Sequence, residues 1–293
     1  MEKLLFVYNP ASGKRTITSH IDKIIEIFAK QNKALTLYRL FDKNCISLEE
    51  LIASGGFDGV VVAGGDGSVN TIVKMVLDNK LDIPVGVLPT GTCNDFSRSL
   101  GMPTDILRCA RLIAQGNVLR TDVGIINDGE HIFVNEVAGG VLVNVSYSTD
   151  QNLKKMLGPF AYYINGLSEL TNIKPFNISV TTKEQVYSEK ALIFLILNGS
   201  DMSGFTNVIK DAQMEDGLMD ILIFKNTNPI EITDSLLKFV SGGEYKDKNV
   251  VRIRTKECVI DCDNKISTTV DGEQGPAFPL KLKMKKQAIK IYC

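Results

Sequence analysis

Three short stretches of this chain carry residue types that can handle phosphate. The first is Gly64-Gly65-Asp66-Gly67-Ser68. It follows the β-branched run Val60-Val61-Val62 and precedes Ile72, Val73, Val76 and Leu77, which share one side of a helix predicted to open near Ser68. A strand, a glycine turn and a helix start make an anion site, because glycine lets the backbone approach phosphate oxygens and first-turn N–H groups have no internal acceptor. A bare carboxylate at Asp66 would repel such a ligand unless a cation lay between them, so the loop reads as holding a polyphosphate with Mg²⁺. It is not a Walker A loop, since no Gly-Lys-Ser/Thr follows. The second stretch is Asn9-Pro10-Ala11-Ser12-Gly13-Lys14, where Lys14 offers a charge for a phosphate tail. The third is Pro89-Thr90-Gly91-Thr92-Cys93-Asn94-Asp95, where Thr92 can donate to a phosphate or nucleotide. Asn94 or Asp95 can equally be the N-cap of a short helix at 95–100, a position these residues favour without any ligand.

Strands and helices must alternate to position these loops. Leu4 to Tyr8 reads as a buried strand, Ile17 to Phe28 as a helix, and Leu35, Leu37 and Leu40 as a second strand. Ser47-Leu48-Glu49-Glu50 reads as a capping box, followed by strand 58–63, helix 68–79 and strand 85–88. This order predicts right-handed crossovers and a mainly parallel sheet, with ligands beyond the carboxyl ends of the strands. All three candidate loops leave such an end. Thr104-Asp105 caps one more helix, which stops at Gly116; from about 118 short alternating runs take over. A helix is expected near 150–171, strands at 174–182, 190–197 and 218–224, a helix at 229–240, and strands to the end. The chain is therefore expected to form an α/β lobe over 1–120 and a β-rich lobe over 121–293, a return of the last residues to the first lobe being left open.

Composition narrows the function classes. Of 293 residues 44% are hydrophobic and 23% charged, ordinary for a chain with two sizeable cores. With 33 basic and 34 acidic side chains the formal charge is −1, so nothing draws the whole molecule to nucleic acid. The start, Met1 to Tyr8, has too short an apolar run for a signal peptide, and the run Ala191 to Leu197 is too short to span a bilayer. A cytoplasmic protein is expected, at most peripheral to the inner face of a membrane. Six cysteines without a CxxC pair, and only His20 and His131 beside them, speak for reduced thiols and against zinc or a histidine triad.

Taken together the motifs resemble a known family. Asn9-Pro-x-Ser12-Gly13, Gly64-Gly65-Asp66-Gly67-Ser68-x-Asn70 and Pro89-x-Gly91-Thr92-x-Asn94-Asp95-Phe96 look like the catalytic signature of diacylglycerol-kinase-like lipid kinases, especially the soluble bacterial branch. The likeness runs on through Arg120 to Gly124, Phe133 to Glu136, Gly139, Asp216 to Asp220, and Val270-Asp271-Gly272-Glu273. It implies a fold shared with NAD kinases: an N-terminal α/β nucleotide-binding lobe, a C-terminal β-sandwich lobe, and ATP with Mg²⁺ in the cleft. On the residues of this chain it implies that Asn9, Pro10, Ser12, Gly13, Lys14, Gly64, Gly65, Asp66, Gly67, Ser68, Asn70, Thr92, Asn94 and Asp95 hold the nucleotide. Asp66, with Asp95, would work through Mg²⁺. Asp271 would be the base for the lipid hydroxyl, with Glu273 the neighbour to test next. Read without the resemblance, Asp271-Gly272 is equally a hairpin turn between strands 266–270 and 278–285.

The resemblance further implies that a structural Mg²⁺ can sit on Asp216 and the carbonyl of Leu218. This chain departs from that pattern, with Gln213 where an acid is expected and Glu215 before Asp216. Lys281, Lys283, Lys285 and Lys286, alternating with Leu282 and Met284, read either as a basic face for anionic lipid or as a solvated or edge strand protected by lysines. The amphipathic segment 153–167 reads either as resting on a bilayer or as core. The function expected is transfer of a phosphoryl group from ATP to a lipid hydroxyl such as that of diacylglycerol, at a membrane surface; a homodimer stays open. The alternatives are another acceptor (phosphatidylglycerol, a sphingoid base or NAD) and a nucleotide-binding regulator without turnover.

Overall fold

The computed structural model describes residues 1–13, 15–40, 46–140, 174–242, 247–263 and 266–293. Lys14, Cys45, the helix expected at 150–171 and the amphipathic segment 153–167 lie outside the described residues. The chain divides into two compact units, Met1–Thr121 with Gln287–Cys293, and Asp122–Lys286.

In the first unit the strands are β1 (Glu2–Tyr8), β2 (Lys33–Arg39), β3 (Gly59–Gly64) and β4 (Pro84–Pro89). They pair in the order β4-β3-β1-β2, all parallel, so the chain leaves β1, β3 and β4 at one edge of the sheet. The helices are α1 (Ile17–Ala29), α2 (Leu48–Ala53), α3 (Asp66–Asp78), α4 (Asp95–Ser99) and α5 (Ile106–Gln115). Both faces of the sheet are dry, which explains the continuous apolar strands. Leu4, Phe6, Val61, Ala63 and Leu88 share a core with Ile24 and Phe28 of α1 and Ile113 of α5. The alternate side chains Leu5, Val7, Val60, Val62 and Val87 are buried too, as are Val69, Ile72, Val73 and Val76 of α3. Ser47 accepts from the Glu50 N–H, Asp105 accepts from the Arg108 N–H at 2.7 Å, and Gly116 ends α5 in the left-handed region. Helix α3 starts at Asp66 with Gly65 as N-cap, so Ser68 is not its cap but lies in its first turn.

The second unit is a β-sandwich. Its strands are β5 (Val118–Ile126, entering from the first unit), β6 (His131–Phe133), β7 (Glu136–Gly140), β8 (Phe176–Thr181), β9 (Val186–Leu197), β10 (Met219–Lys225), β11 (Val250–Thr255), β12 (Glu257–Cys262), β13 (Thr268–Val270), β14 (Glu273–Gln274) and β15 (Leu280–Tyr292). Neighbours pair antiparallel in the order β14-β13-β7-β9-β8-β12-β15, while β10 pairs both β9 and β11. The long β9 feeds two cores because successive side chains face opposite ways. Phe194 and Ile196 join Ile221 and Ile223 in one; Leu195 and Leu197 join Leu222, Phe224 and the helix α6 (Pro229–Val240) in the other. Among the alternating runs after 118, the stretch 131–140 forms two strands, broken at Val134-Asn135.

The last strand, β15, pairs with both β12 and β5, and its end beyond Gln287 belongs to the first unit, where Lys290 and Ile291 pair parallel with Pro84 and Val85. The lysines are solvated, as that reading allows, but the strand is not an edge: Lys281, Lys283 and Lys285 stand on the exposed face of a strand that pairs with both β12 and β5, and Leu280, Leu282 and Met284 fill the buried face.

Two glycines of the second unit are seats for aromatic rings. Gly124 faces Phe133 across the β5–β6 pair, and a Cβ there would lie 1.8 Å from the ring. Gly139 faces Phe194 across β7–β9 in the same way, with 2.1 Å. Both rings are fully buried, so neither can swing out to make room. Gly124→Ala is expected to cost about 1–3 kcal/mol by overpacking, read as a lowered denaturation midpoint with unchanged slope; a variant as stable as the parent would show that the ring is not confined.

Candidate functional site

The three loops expected to hold phosphate meet in the first unit, backbone against backbone. The Asn9 N–H donates to the Ala63 carbonyl at 2.9 Å and the Thr90 N–H to the Gly64 carbonyl at 3.1 Å, extending the parallel ladder into the loops. Beyond it the contacts leave no room for side chains. A Cβ on Gly91 would lie 2.4 Å from the Gly65 Cα, and one on Gly13 would lie 2.1 Å from the Thr90 carbonyl oxygen. Gly13 also sits at φ +47°, a left-handed conformation that favours glycine. In the first loop the Asn9 carboxamide oxygen accepts from the Ala11 N–H at 2.9 Å, closing an Asx turn that sends the chain toward Ser12. The result is a cradle of main-chain groups, a cradle a single Cβ would fill, set beside the N-terminus of α3. A helix start of this kind is a place where first-turn N–H groups can meet an anion.

The polar side chains around the cradle mostly serve the loops. Asn94 sits in the left-handed region; its carboxamide accepts from the Gly91 N–H at 2.8 Å and donates to the Gly91 carbonyl at 3.0 Å. It is the N-cap residue of α4 by position, as the capping alternative has it, but its side chain fastens its own loop and makes no cap hydrogen bond. The cap comes from elsewhere: Asp66 Oδ1 accepts from the Phe96 N–H at 3.1 Å, across thirty positions of sequence. Asp95 is buried, with Oδ1 at 2.5 Å from the Arg98 guanidinium. Asp95 thus has an internal counter-charge, and Asp66 is tied to the third loop. Thr92 is exposed at the tip of that loop, whereas Ser12 and Thr90 are buried. Arg98 had no motif to announce it; only its place three residues after Asp95, one helical turn on, could have marked it.

In the second unit Asp271 is 5% exposed and at φ +46°, followed by Gly272 at φ +85°. Val270 pairs with Glu273, so these two residues form the tight turn between β13 and β14. The Asp271 side chain reaches the break between β6 and β7: Oδ2 accepts from the Val134 N–H at 2.8 Å, and Oδ1 accepts from the Asn135 N–H at 2.9 Å and the Glu136 N–H at 2.8 Å. Each of these donors stabilises the ionised carboxylate. Asn198 braces the same segment, its amide donating to the Val134 carbonyl at 2.8 Å and to the Asp122 carbonyl at 3.0 Å. Glu273 is exposed on the short β14.

The turn at Asp216-Gly217-Leu218 is in the same unit. Asp216 Oδ1 accepts from the Leu218 N–H at 2.8 Å, the Gly217 N–H donates to Asp122 Oδ2 at 2.5 Å, and Asp216 Oδ2 is hydrogen-bonded by Arg254. Gln213 is exposed. Mg²⁺ takes oxygen ligands in near-octahedral geometry; the turn offers one carboxylate, and a guanidinium already stands on it. Among the described residues no group of three or more acidic, histidine or cysteine side chains is placed to hold a metal.

Known proteins match this chain along its length. Residues 3–126 match the family model described as the diacylglycerol kinase catalytic domain, and residues 135–293 match the one described as the YegS C-terminal NAD kinase beta sandwich-like domain. A diacylglycerol kinase of Staphylococcus carnosus is 31% identical over 288 residues, covering 98% of this chain and 93% of that protein. One of Staphylococcus aureus is 30% identical over 288 residues, covering 98% and 90%. Among solved structures, a diacylglycerol kinase of Bacillus anthracis superposes with a TM-score of 0.77 at 22% identity, covering 99% of this chain and 96% of that one, a likeness of fold. A second structure from that organism reaches a TM-score of 0.82 at 26% identity, covering 99% and 95%. Identity at this level over nearly all of both chains, with a parallel α/β unit and a β-sandwich behind the same motifs, makes the chain a lipid kinase of the diacylglycerol kinase family.

Proposed function

We propose that the chain transfers the γ-phosphoryl group of ATP to the free hydroxyl of diacylglycerol, giving phosphatidic acid and ADP. The observation that carries this reading is the main-chain cradle of Gly13, Gly65 and Gly91 at the end of a parallel sheet, a shape that suits a phosphate tail and tolerates no side chain. Asn9, Pro10, Ser12, Gly64, Gly67, Ser68, Asn70, Thr92 and Asn94 belong to the same loops, and Lys14 follows them in sequence. Asp66 is the residue that would hold the Mg²⁺ travelling with the nucleotide, whose chemistry when bound is to draw charge off the phosphate oxygens.

In the transfer the lipid oxygen bonds to the γ-phosphorus, the bond to the β–γ bridging oxygen breaks, and the hydroxyl proton passes to a carboxylate. Asp271 is the residue assigned to that proton. Its carboxylate is held by three amide hydrogen bonds, which suits a reaction whose nucleophile loses its proton late and needs orientation more than deprotonation. Those same donors fix the carboxylate in place. A lipid acceptor sets the work at a membrane surface, and among the described residues no helix is long and apolar enough to cross a membrane.

Incubating the purified chain with labelled ATP, Mg²⁺ and a total lipid extract should label phosphatidic acid. Label on phosphatidylglycerol, on a sphingoid base or on a dinucleotide instead would transfer the assignment to that acceptor, and none anywhere would leave a nucleotide-binding regulator. Asp271→Asn should keep ATP binding and lose at least about 10²-fold in transfer. Asparagine has one acceptor oxygen for three N–H groups, so this variant should also lose about 1–3 kcal/mol of stability in a denaturant titration. Unchanged turnover would remove Asp271 from the reaction. Gly91→Ala should weaken ATP binding by about 10-fold or more in calorimetry, because the new methyl collides with Gly65; wild-type affinity would mean that the cradle is not where phosphate sits.

A further inference from the structure

We propose that in this chain an arginine takes the place of a structural divalent cation: Arg254, with Arg252 beside it, neutralises the acidic corner around Asp216, and the β-sandwich unit folds without a metal there.

The arrangement follows from strand geometry. Arg252 and Arg254 are two apart on β11 and so project from one face. The register sets Asp220 of β10 opposite Arg254 and Leu222 opposite Arg252. Arg252 Nε donates to Asp220 Oδ1 at 2.7 Å and its Nη2 to Asp211 Oδ1 at 2.8 Å. Arg254 donates to Asp216 Oδ2 and, at 3.2 Å, to the Asp211 carbonyl; its Nη1 lies 3.7 Å from Asp211 Oδ2 and its Nε 3.9 Å from Asp220 Oδ2. Two planar forks thus serve three carboxylates, a task that suits guanidinium better than a point charge.

The charges behave accordingly. Burial pushes the Asp220 carboxyl up, against the pull of Arg252 and then Arg254. The Arg252 guanidinium holds Asp211 below the usual carboxylate range. A third basic residue closes the corner, since the stem of Lys286 lies over Gly217, within 3.2 Å of where a Cβ would be. A divalent ion at Asp216 would have to displace Arg254, leave that guanidinium facing two further positive charges, and take a carboxylate whose Oδ1 is already held by the Leu218 N–H. Gln213, exposed and uncharged, supplies no second anionic ligand. At this corner Gln213 brings no charge and Arg254 brings a fixed cation.

The test is the melting temperature of the full chain without nucleotide or lipid, so it is independent of whether the proposed kinase reaction holds. The wild-type protein should melt within about 2 °C of the same temperature in EDTA and in millimolar MgCl₂ or CaCl₂. Arg254→Gln should melt several degrees lower and regain part of that loss when either salt is added. Should Arg254→Gln fail to fold, Arg254→Lys, which keeps the charge without the fork, should fold and melt several degrees below the wild type, and an Arg254→Lys protein that melts like the parent would count against the fork. The proposal is overturned by a wild-type melting point that drops several degrees in EDTA and no longer does so in Asp216→Asn, or by an Arg254→Gln protein that melts like the parent.

Discussion

The first unit depends on peptide planes lying closer together than side chains permit. Where Gly91 meets Gly65 and Gly13 meets Thr90, the loops are held apart only by hydrogens and carbonyl oxygens. Parallel strands in register bring three chain exits to one edge, but any residue with a Cβ at these points would splay them. The fixing is done by short-range polar ties: Asn9 to Ala11, Asn94 to Gly91, and Asp66 to the first turn of α4. Side chains that look like ligand-binding groups in sequence are largely spent on holding the main chain still. What is left to meet an anion is the backbone itself, whose dipoles are oriented before any ligand arrives.

The same economy governs Asp271. As part of an Asp-Gly pair with positive φ at both residues it is a tight turn, and by its carboxylate it is the acceptor for three amides where β6 gives way to β7. The turn and functional readings were rivals in sequence but are compatible in space. The left-handed backbone is what aims the carboxylate inward, and the break at Val134-Asn135 exists because those amides face Asp271 instead of a neighbouring strand.

Much of the architecture was legible because it rests on local signals. Alternation and periodicity marked the strands and helices of the first unit, and Ser47, Asp105 and Gly116 marked helix ends through caps that act within a few residues. What escaped had distant causes. The start of α3 was placed late because its cap is Gly65, which has no side chain to signal it. The break between β6 and β7 is imposed by a residue 137 positions away from Val134. The lysines of β15 were readable as an exposed face, but alternation reports which side is wet and not whether a strand lies at an edge. Arg252 and Arg254 went unremarked because two arginines on a strand are ordinary until their register against Asp220 is known. At the three loops the glycines marked where the backbones meet, while the duties of Asn94, Asp66 and Asp95 depend on partners that only folding supplies.

The end of β15 carries a consequence for biosynthesis. The parallel sheet of the first unit is completed by Lys290 and Ile291 against β4, yet these residues follow the whole of the second unit in the chain. The open flank of β4 must therefore wait, through the making of the whole second unit, with its N–H and C=O groups unpaired by their final neighbour. The emergence of residues 287–293, and not that of the loops, is the event that lets this half of the fold close.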